Sequence, residues 1–415
     1  MTPSLAESTR VFARIGVLSF GGPAAQIALM HRELVEDRHW LTEKEYLSAL
    51  SFCMLLPGPE AMQLATYSGW KLHGTKGGLI AGLLFVLPGA AVVLALAMLY
   101  AAYGQVPLIS ALFTGVQAAV VVIVIEALLR VAKRALKLRA HWVIAILAFL
   151  ALFTLNLPFP VVILAAALWG FATTKATAPV THTPIPPGQT ARTVALWLAV
   201  WLLPLGAVWL IDGGLMAEIG LFFSKLAMLT FGGAYAVLTW MSQAVVQEKQ
   251  WLTLPQMIDA LGLAETTPGP LILVTEFVGY LAAYAKGGVA YGIAGAIVTL
   301  WMTFAPCFLW VFAGAPYIAR LAQMPRLSGA LSAITAAVVG VIANLSLWFA
   351  AHVAFKTVHA ASFGPFHIIT PDPASINPVS LALTVLAGIL ILKRHWGLPA
   401  TLGLCGAISM ALALI

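Results

Sequence analysis

Charge is what this chain has least of. Only 9% of its 415 residues are Asp, Glu, Lys or Arg, against about 25% in an ordinary soluble domain, while 61% are hydrophobic. That balance excludes a water-soluble globule and leaves an all-α polytopic membrane protein. Cysteine is scarce too: Cys53, Cys307 and Cys405 lie far apart inside apolar runs. They form neither a disulfide framework nor a metal-ligand spacing and read as packing residues. His31, His39 and His73 likewise lack a metal spacing. No His-Glu-x-x-His, Gly-x-Ser-x-Gly or nucleotide-binding loop occurs, so neither an enzyme nor a bound cofactor is expected. The N-terminus carries Arg14 and no small-x-small cleavage site, which does not fit a cleaved signal peptide. The net charge of +7 does not imply nucleic acid, because the basic residues fall mostly in short loops between apolar runs.

Runs long enough to cross about 30 Å of hydrocarbon lie near 10–30, 46–72, 78–103, 107–130, 140–156, 158–174, 193–211, 216–245, 257–285, 287–314, 327–352, 378–392 and 396–414, thirteen candidate spans in all. An N-terminus on the cytoplasmic side puts Lys133, Arg134, Lys137, Arg139, Lys175, Arg192, Arg320, Arg326, Lys393 and Arg394 inside. Arg32, Arg38, Lys44, Lys286 and Lys356 then lie outside, which obeys the positive-inside rule.

An internal repeat is the strongest pattern present. RIGVLSFGGPAAQIALM at 14–30 returns as KLAMLTFGGAYAVLTWM at 225–241, RHWLT at 38–42 as KQWLT at 249–253, and LLPGP at 55–59 as TTPGP at 266–270, all at an offset of 211. Gly69 and Gly77-Gly78 pair by letter with Gly279 and Gly287-Gly288, and Gly82 with Gly292. A Pro- and Thr-rich linker at 173–192 separates the copies, giving repeats at 1–174 and 216–415 with a linker and connecting helix over 175–215. Seven crossings between equivalent positions would make the repeats inverted, the arrangement of secondary transporters with interrupted helices at matched places.

Each copy contains two helix breakers. Pro57-Gly58-Pro59 and Pro268-Gly269-Pro270 should end one half-helix and start another, with free amides aimed into the apolar interior. Phe20-Gly21-Gly22-Pro23 and Phe231-Gly232-Gly233 are breaks of the same kind, although Ala234 replaces the proline in the second copy. Helix starts carry partial positive charge and bind oxyanions; the plainer reading is that these residues only kink helices. Arg14 and Lys225 are repeat-matched cations, each costing roughly 3 kcal/mol at a span centre unless an anion sits nearby or the side chain reaches an interface. Ser19 and Thr230, also matched, could donate to oxygens or bond back to their own helices. Glu60, Glu265, Glu276 and Glu126 do not suit a dianion site unless protonated, which makes them candidates for proton coupling or for structural ion pairs. Glu36 and Asp37 before Trp40, like Gln247 and Glu248 before Trp251, read as loop caps and interface anchors.

FGGP followed by LMHRELVEDRHWL, LLPGP and GW…GGLIAG, returning as FGG…QWL…TPGP…GY…GG, resembles the bacterial chromate ion transporter family in its long, two-halved form. The resemblance covers essentially the whole chain. It implies an inner-membrane carrier that exports chromate on the proton-motive force and confers resistance. Chromate, with protons as the coupling ion and the lipid bilayer around it, would be its partner; sulfate, another oxyanion, an anion channel and a homodimer stay open.

Overall fold

The structure is a computed structural model that describes residues 3–20, 22–175, 187–231, 234–318, 324–364 and 366–414. In chain order the helices are α1 (Leu5–Leu18), α2 (Gly22–His31), α3 (Glu43–Cys53), α4 (Glu60–Tyr103), α5 (Pro107–Ala135), α6 (Arg139–Phe153), α7 (Phe159–Thr173) and α8 (Pro187–Ile211). They continue with α9 (Leu215–Leu229), α10 (Ala234–Gln243), α11 (Leu254–Thr266), α12 (Val274–Gly314), α13 (Pro325–Ala354), α14 (Pro378–Gly388) and α15 (Leu398–Ala413). Among the described residues, α4, α5, α13, most of α8 and the stretch Leu271–Tyr317 are long and apolar enough to cross a membrane, and four shorter apolar helices accompany them. The expected runs at 10–30, 46–72, 216–245 and 257–285 are each broken into two pieces.

The repeat is a structural repeat down to single hydrogen bonds. After α2, Arg32–Glu36 forms one π-helical turn, and Ala244–Glu248 does the same after α10. The Trp40 N–H donates to Leu34 O at 2.9 Å and the Trp251 N–H to Val245 O at 3.0 Å. His39 and Gln250 between them hold positive φ of 52° and 53°. Thr42 and Glu45 then cap α3 reciprocally, and Thr253 and Gln256 pair in the same way at α11, as a capping box requires. A third occurrence, with Ile389–Lys393 as the π turn, His395 at φ 54° and Trp396 N–H on Leu390 O, joins α14 to α15. Beside the first turn His31 bonds Glu43 at 2.7 Å and Glu36 at 3.0 Å. Those bonds, Glu43's first, hold the imidazole above its ordinary pKa.

Helices α4 and α12 are both helical hairpins. The chain reverses at His73-Gly74 in α4 and at Gly288 in α12, with φ of 63° at Gly74 and 71° at Gly288. The two arms then press together through glycine. A Cβ on Gly69 would strike the Gly77 carbonyl, and one on Gly279 would lie 3.0 Å from the Gly295 carbonyl oxygen and against Thr299. Gly77 therefore corresponds to Gly295, and Gly288 to the hinge Gly74, which corrects the pairing of Gly77-Gly78 with Gly287-Gly288. Identical letters serve a helix crossing in one copy and a turn in the other.

The chain divides into two compact units, each drawing on both repeats: residues 1–101, 176–237 and 263–328 in one, 102–175, 238–262 and 329–415 in the other. In the first, α12 packs on α8 and α9, with Trp197 stacked on Phe308 and tilted against Phe312. Gly16 of α1 lies directly against the Leu84 carbonyl of α4. In the second unit α5 packs along α14 and α15, and Gly115 meets the backbone of Cys405 and Gly406. The all-α expectation needs one amendment there. Val358–Phe363 (β1) and Phe366–Pro371 (β2) form an antiparallel hairpin turning at Gly364, φ 62°. A six-residue strand between apolar runs leaves little periodic trace.

Gly69→Val and Gly279→Val should each lower stability by about 1–3 kcal/mol through overpacking, read as a fall in melting temperature of the purified protein. Gly403→Ala, with nothing within 4 Å of its Cβ, should be neutral or slightly stabilising. His31, with its raised pKa, contributes stability below about pH 6.5 that is lost as pH rises through the raised value. Melting in acid should therefore exceed melting in mild base by under about 1 kcal/mol, since both carboxylates are more than half exposed. His31→Gln should flatten that profile.

Candidate functional site: paired helix breaks

All four breaks fall in the first unit. α1 ends as the Ser19 N–H reaches Gly16 O at 3.4 Å and the Phe20 N–H reaches Leu18 O at 2.9 Å. α9 ends in the same way, with the Phe231 N–H on Leu229 O at 2.9 Å. At the Pro-Gly-Pro breaks Gly58 has φ 125° and Gly269 φ 88°, conformations that cost an L side chain about 1–2 kcal/mol. Those glycines bind the other copy's first break. The Gly58 N–H donates to Thr230 O at 2.7 Å, and the Gly269 N–H donates to Ser19 O at 2.8 Å. The two copies exchange the same bond in both directions.

Side chains complete the seams. Gln26, four residues into α2, donates from Nε2 to Gly269 O at 2.7 Å and Ser19 O at 3.3 Å. Gln63 in the first turn of α4 donates to Pro57 O at 2.7 Å. Both glutamines are buried, and each Oε1 lacks a protein donor. The second arm of each hairpin closes over the other copy's Pro-Gly-Pro: Gly89 of α4 packs on Pro268 O and Leu273, and Cys307 of α12 lies beside Gly58. Gln26, Gln63, Gly89 and Cys307 have no like residue in the other copy, so a search for repeats passes over them. Asking which polar groups lie within one turn of each break would have found the glutamines.

The expected site residues fare differently. Gly21, Gly232 and Gly233 lie outside the described residues. Gly22 adopts φ 78° where α2 begins. Pro59 directly precedes α4, whose first bond runs from Gln63 N–H to Pro59 O at 3.1 Å; the amides of Ala61 and Met62 therefore have no acceptor inside the helix. Pro270 differs, for a 3₁₀ turn at Leu271–Leu273 precedes α12. The second copy is one residue shorter here, and three residues at about 2.0 Å rise cover the length that four cover at about 1.5 Å.

The two matched hydroxyls bond back to their own helices. Ser19 Oγ donates to Ile15 O at 2.6 Å and Thr230 Oγ1 to Leu226 O at 2.7 Å. Both residues enter the site through their carbonyls. The Gly58 and Gly269 amides are likewise taken by the seams, which leaves first-turn amides as the donors. The two matched cations both lie at exposed positions. Arg14 is 60% exposed and 3.6 Å from Glu33, a buried carboxylate that also holds Arg38; a buried charge demands such counter-ions. Lys225 is exposed, on the same face as Leu221 and Met228.

Of the four acids, Glu126 pairs with Arg130 in the second unit. Glu265 accepts from Tyr235, whose hydroxyl lies 2.7 Å away at the start of α10. Glu60 is the first residue of α4 and half-buried. Glu276, two residues into α12, is buried with Oε2 unpartnered; its neighbour Phe277 meets the ring of Tyr100 at 5.3 Å. No cluster of His, Cys, Asp and Glu among the described residues could hold a metal.

A family model described as "Chromate transporter" matches residues 6–171 and again 217–410. A "Chromate transport protein" of Cupriavidus metallidurans is 33% identical, covering 82% of this chain and 81% of its own length. A "Probable chromate transport protein" of Synechococcus elongatus is 32% identical, covering 82% of this chain and 83% of its own. A "Chromate transport protein" of Pseudomonas aeruginosa is 33% identical, covering 80% and 77%. No solved structure matches.

Gly58→Ala and Gly269→Ala should each lower stability by at least about 1–2 kcal/mol from the left-handed backbone alone; a Cβ at Gly58 would also sit 2.8 Å from Cys307 Sγ. Ser19→Ala and Thr230→Val should cost less than about 1 kcal/mol, because the carbonyls, not the hydroxyls, bind the seams. Melting of the four purified variants checks the contrast.

Proposed function

The chain belongs to the chromate transporter family, and from that membership we propose that it is a secondary carrier exporting chromate through the bacterial inner membrane. Resistance to chromate would follow, with the N-terminus cytoplasmic and inverted repeats rocking about the paired breaks. The reciprocal bonds between Gly58 and Thr230 and between Gly269 and Ser19 carry this reading. They bring the first turn of a half-helix in each copy close to a break of the other, where a tetrahedral dianion gains from fixed amides and helix ends worth up to about 2 kcal/mol each. Pro57, Pro59, Pro268 and Pro270 deny the adjoining backbone its own donors, and Gly21, Gly22, Gly232 and Gly233 let an anion approach the chain closely. Arg14 and Lys225 add positive potential on the approach to the breaks.

Among Glu60, Glu126, Glu265 and Glu276, the last is best suited to carry the coupling proton. It is buried, it has an unpartnered oxygen, and no salt bridge fixes its charge among the described residues. Its counterpart in the first copy is the neutral Thr66, bonded to Met62 O, so one acid serves both halves. Sulfate, the same in shape and charge, is the competing cargo.

Chromate flux into proteoliposomes under an imposed pH gradient tests this. Wild-type flux should saturate and follow the gradient, with sulfate competing more weakly than chromate. Glu276→Gln should lose the gradient-driven component at least about tenfold while chromate–chromate exchange persists. Gradient-driven flux in that variant equal to wild type would move the proton to another acid; sulfate competing as well as chromate would broaden the cargo.

A further inference from the structure

Four cations, Lys133, Arg134, Lys137 and Arg139, lie within seven residues at the end of α5 and the start of α6, all exposed. Immediately after them begins an apolar groove of about 490 Å³ in the second unit. Its walls are α6, from Ala140 to Ala151, and α7, from Val161 to Trp169, and its floor is Ala337 of α13. Alanines at 140, 148, 151, 165 and 166 leave the space that larger side chains would fill. The α6 wall from Ala140 to Ala151 is about 17 Å long, about one leaflet's share of the roughly 30 Å hydrocarbon core.

The groove is built rigidly. Gly340 of α13 abuts the Ala145 carbonyl of α6, and Gly170 of α7 abuts the Gly329 carbonyl of α13. Both walls are thereby pinned to one helix through backbone contacts that any larger residue would push apart. The basic turn is pinned as well: His141 Nδ1 lies 2.8 Å from Ala135 O, and its Nε2 lies 3.4 Å from Ser332 Oγ of α13. Trp142 and Trp169 are 55% and 44% exposed, as amphipathic rings are at a headgroup level. An elongated apolar slot with fixed positive charge at one end is complementary to one chemistry, an acyl chain joined to an anionic headgroup.

We propose that the α6–α7 groove with Lys137 and Arg139 at its mouth is a binding site for one anionic phospholipid. The acyl chain lies along the alanines, and the headgroup phosphates meet the basic turn. Lys133 and Arg134 add charge from the last turn of α5.

Native mass spectrometry of the purified full-length protein, titrated with phosphatidylglycerol or phosphatidylethanolamine, tests this. Wild type should retain one phosphatidylglycerol in preference to phosphatidylethanolamine. Lys137→Ala/Arg139→Ala should weaken phosphatidylglycerol binding about thirtyfold, at roughly one cation's attraction each, and abolish the preference. Ala165→Phe, at an exposed position on the groove wall, should lose both lipids while melting like wild type. Equal retention of the two lipids by wild type, or an unchanged preference in the double alanine variant, would overturn the assignment. Should Ala165→Phe fail to fold, the charge variant decides alone.

Discussion

In an apolar surround every backbone N–H and C=O must find a partner inside the protein, and each one left over costs several kcal/mol. This chain breaks its own helices at four places and so creates the groups that are hardest to satisfy there. The first breaks strand the carbonyls of Ser19 and Thr230, and the Pro-Gly-Pro breaks strand the amides of Gly58 and Gly269. Each stranded group is the other copy's remedy, at 2.7 and 2.8 Å. Neither repeat satisfies its breaks alone, and the first compact unit, which holds all four, accordingly contains segments of both. The interlock is a consequence of the breaks rather than an addition to them.

Once two copies are stitched together at matched positions, any difference between them becomes informative. Gly89 and Cys307 cap opposite seams, one with no side chain and the other with a buried thiol. Thr66 and Glu276 occupy corresponding places on the hairpin arms, one with its hydroxyl bonded to Met62 O and the other with an unpartnered oxygen. Gln26 and Gln63 both belong to the first copy and serve the two seams separately. The backbone is shared between the copies while the polar chemistry is divided among them.

Glycine and proline made the breaks legible in the sequence, because their backbone limits hold wherever they occur; the offset of 211 needed only letters. What the sequence hid was direction. Whether Ser19 faces an anion or its own helix depends on the carbonyl four residues back, and a hydroxyl inside an apolar helix takes that nearer acceptor. Arg14 looked costly alone because nothing in its neighbourhood announces that Glu33, nineteen residues on, is buried and needs cations. The Gly-Gly pairs misled for the opposite reason: a glycine is required both where a hinge takes positive φ and where two backbones touch, and letters do not tell the two apart.

That ambiguity has a physical resolution in the hairpins. Gly74 and Gly288 carry left-handed φ with nothing within 4 Å of a Cβ, so conformation alone selects glycine there. Gly69, Gly77, Gly279 and Gly295 touch backbone or side chains closely with ordinary φ, so space alone selects it. Aligned by letter, with Gly78 on Gly288, the second copy has eight more residues before its Pro306 than the first has before Pro88. Aligned by role, with Gly74 on Gly288 and Gly77 on Gly295, they are shared among the turn and the segments on either side of it. Pro88 and Pro306 then lie at equal distances beyond the crossing glycines, which puts Gly89 and Cys307 over the facing breaks in the same register. The register of the hairpin arms, set by where two backbones can touch, thus determines which residue each copy offers to the other's seam.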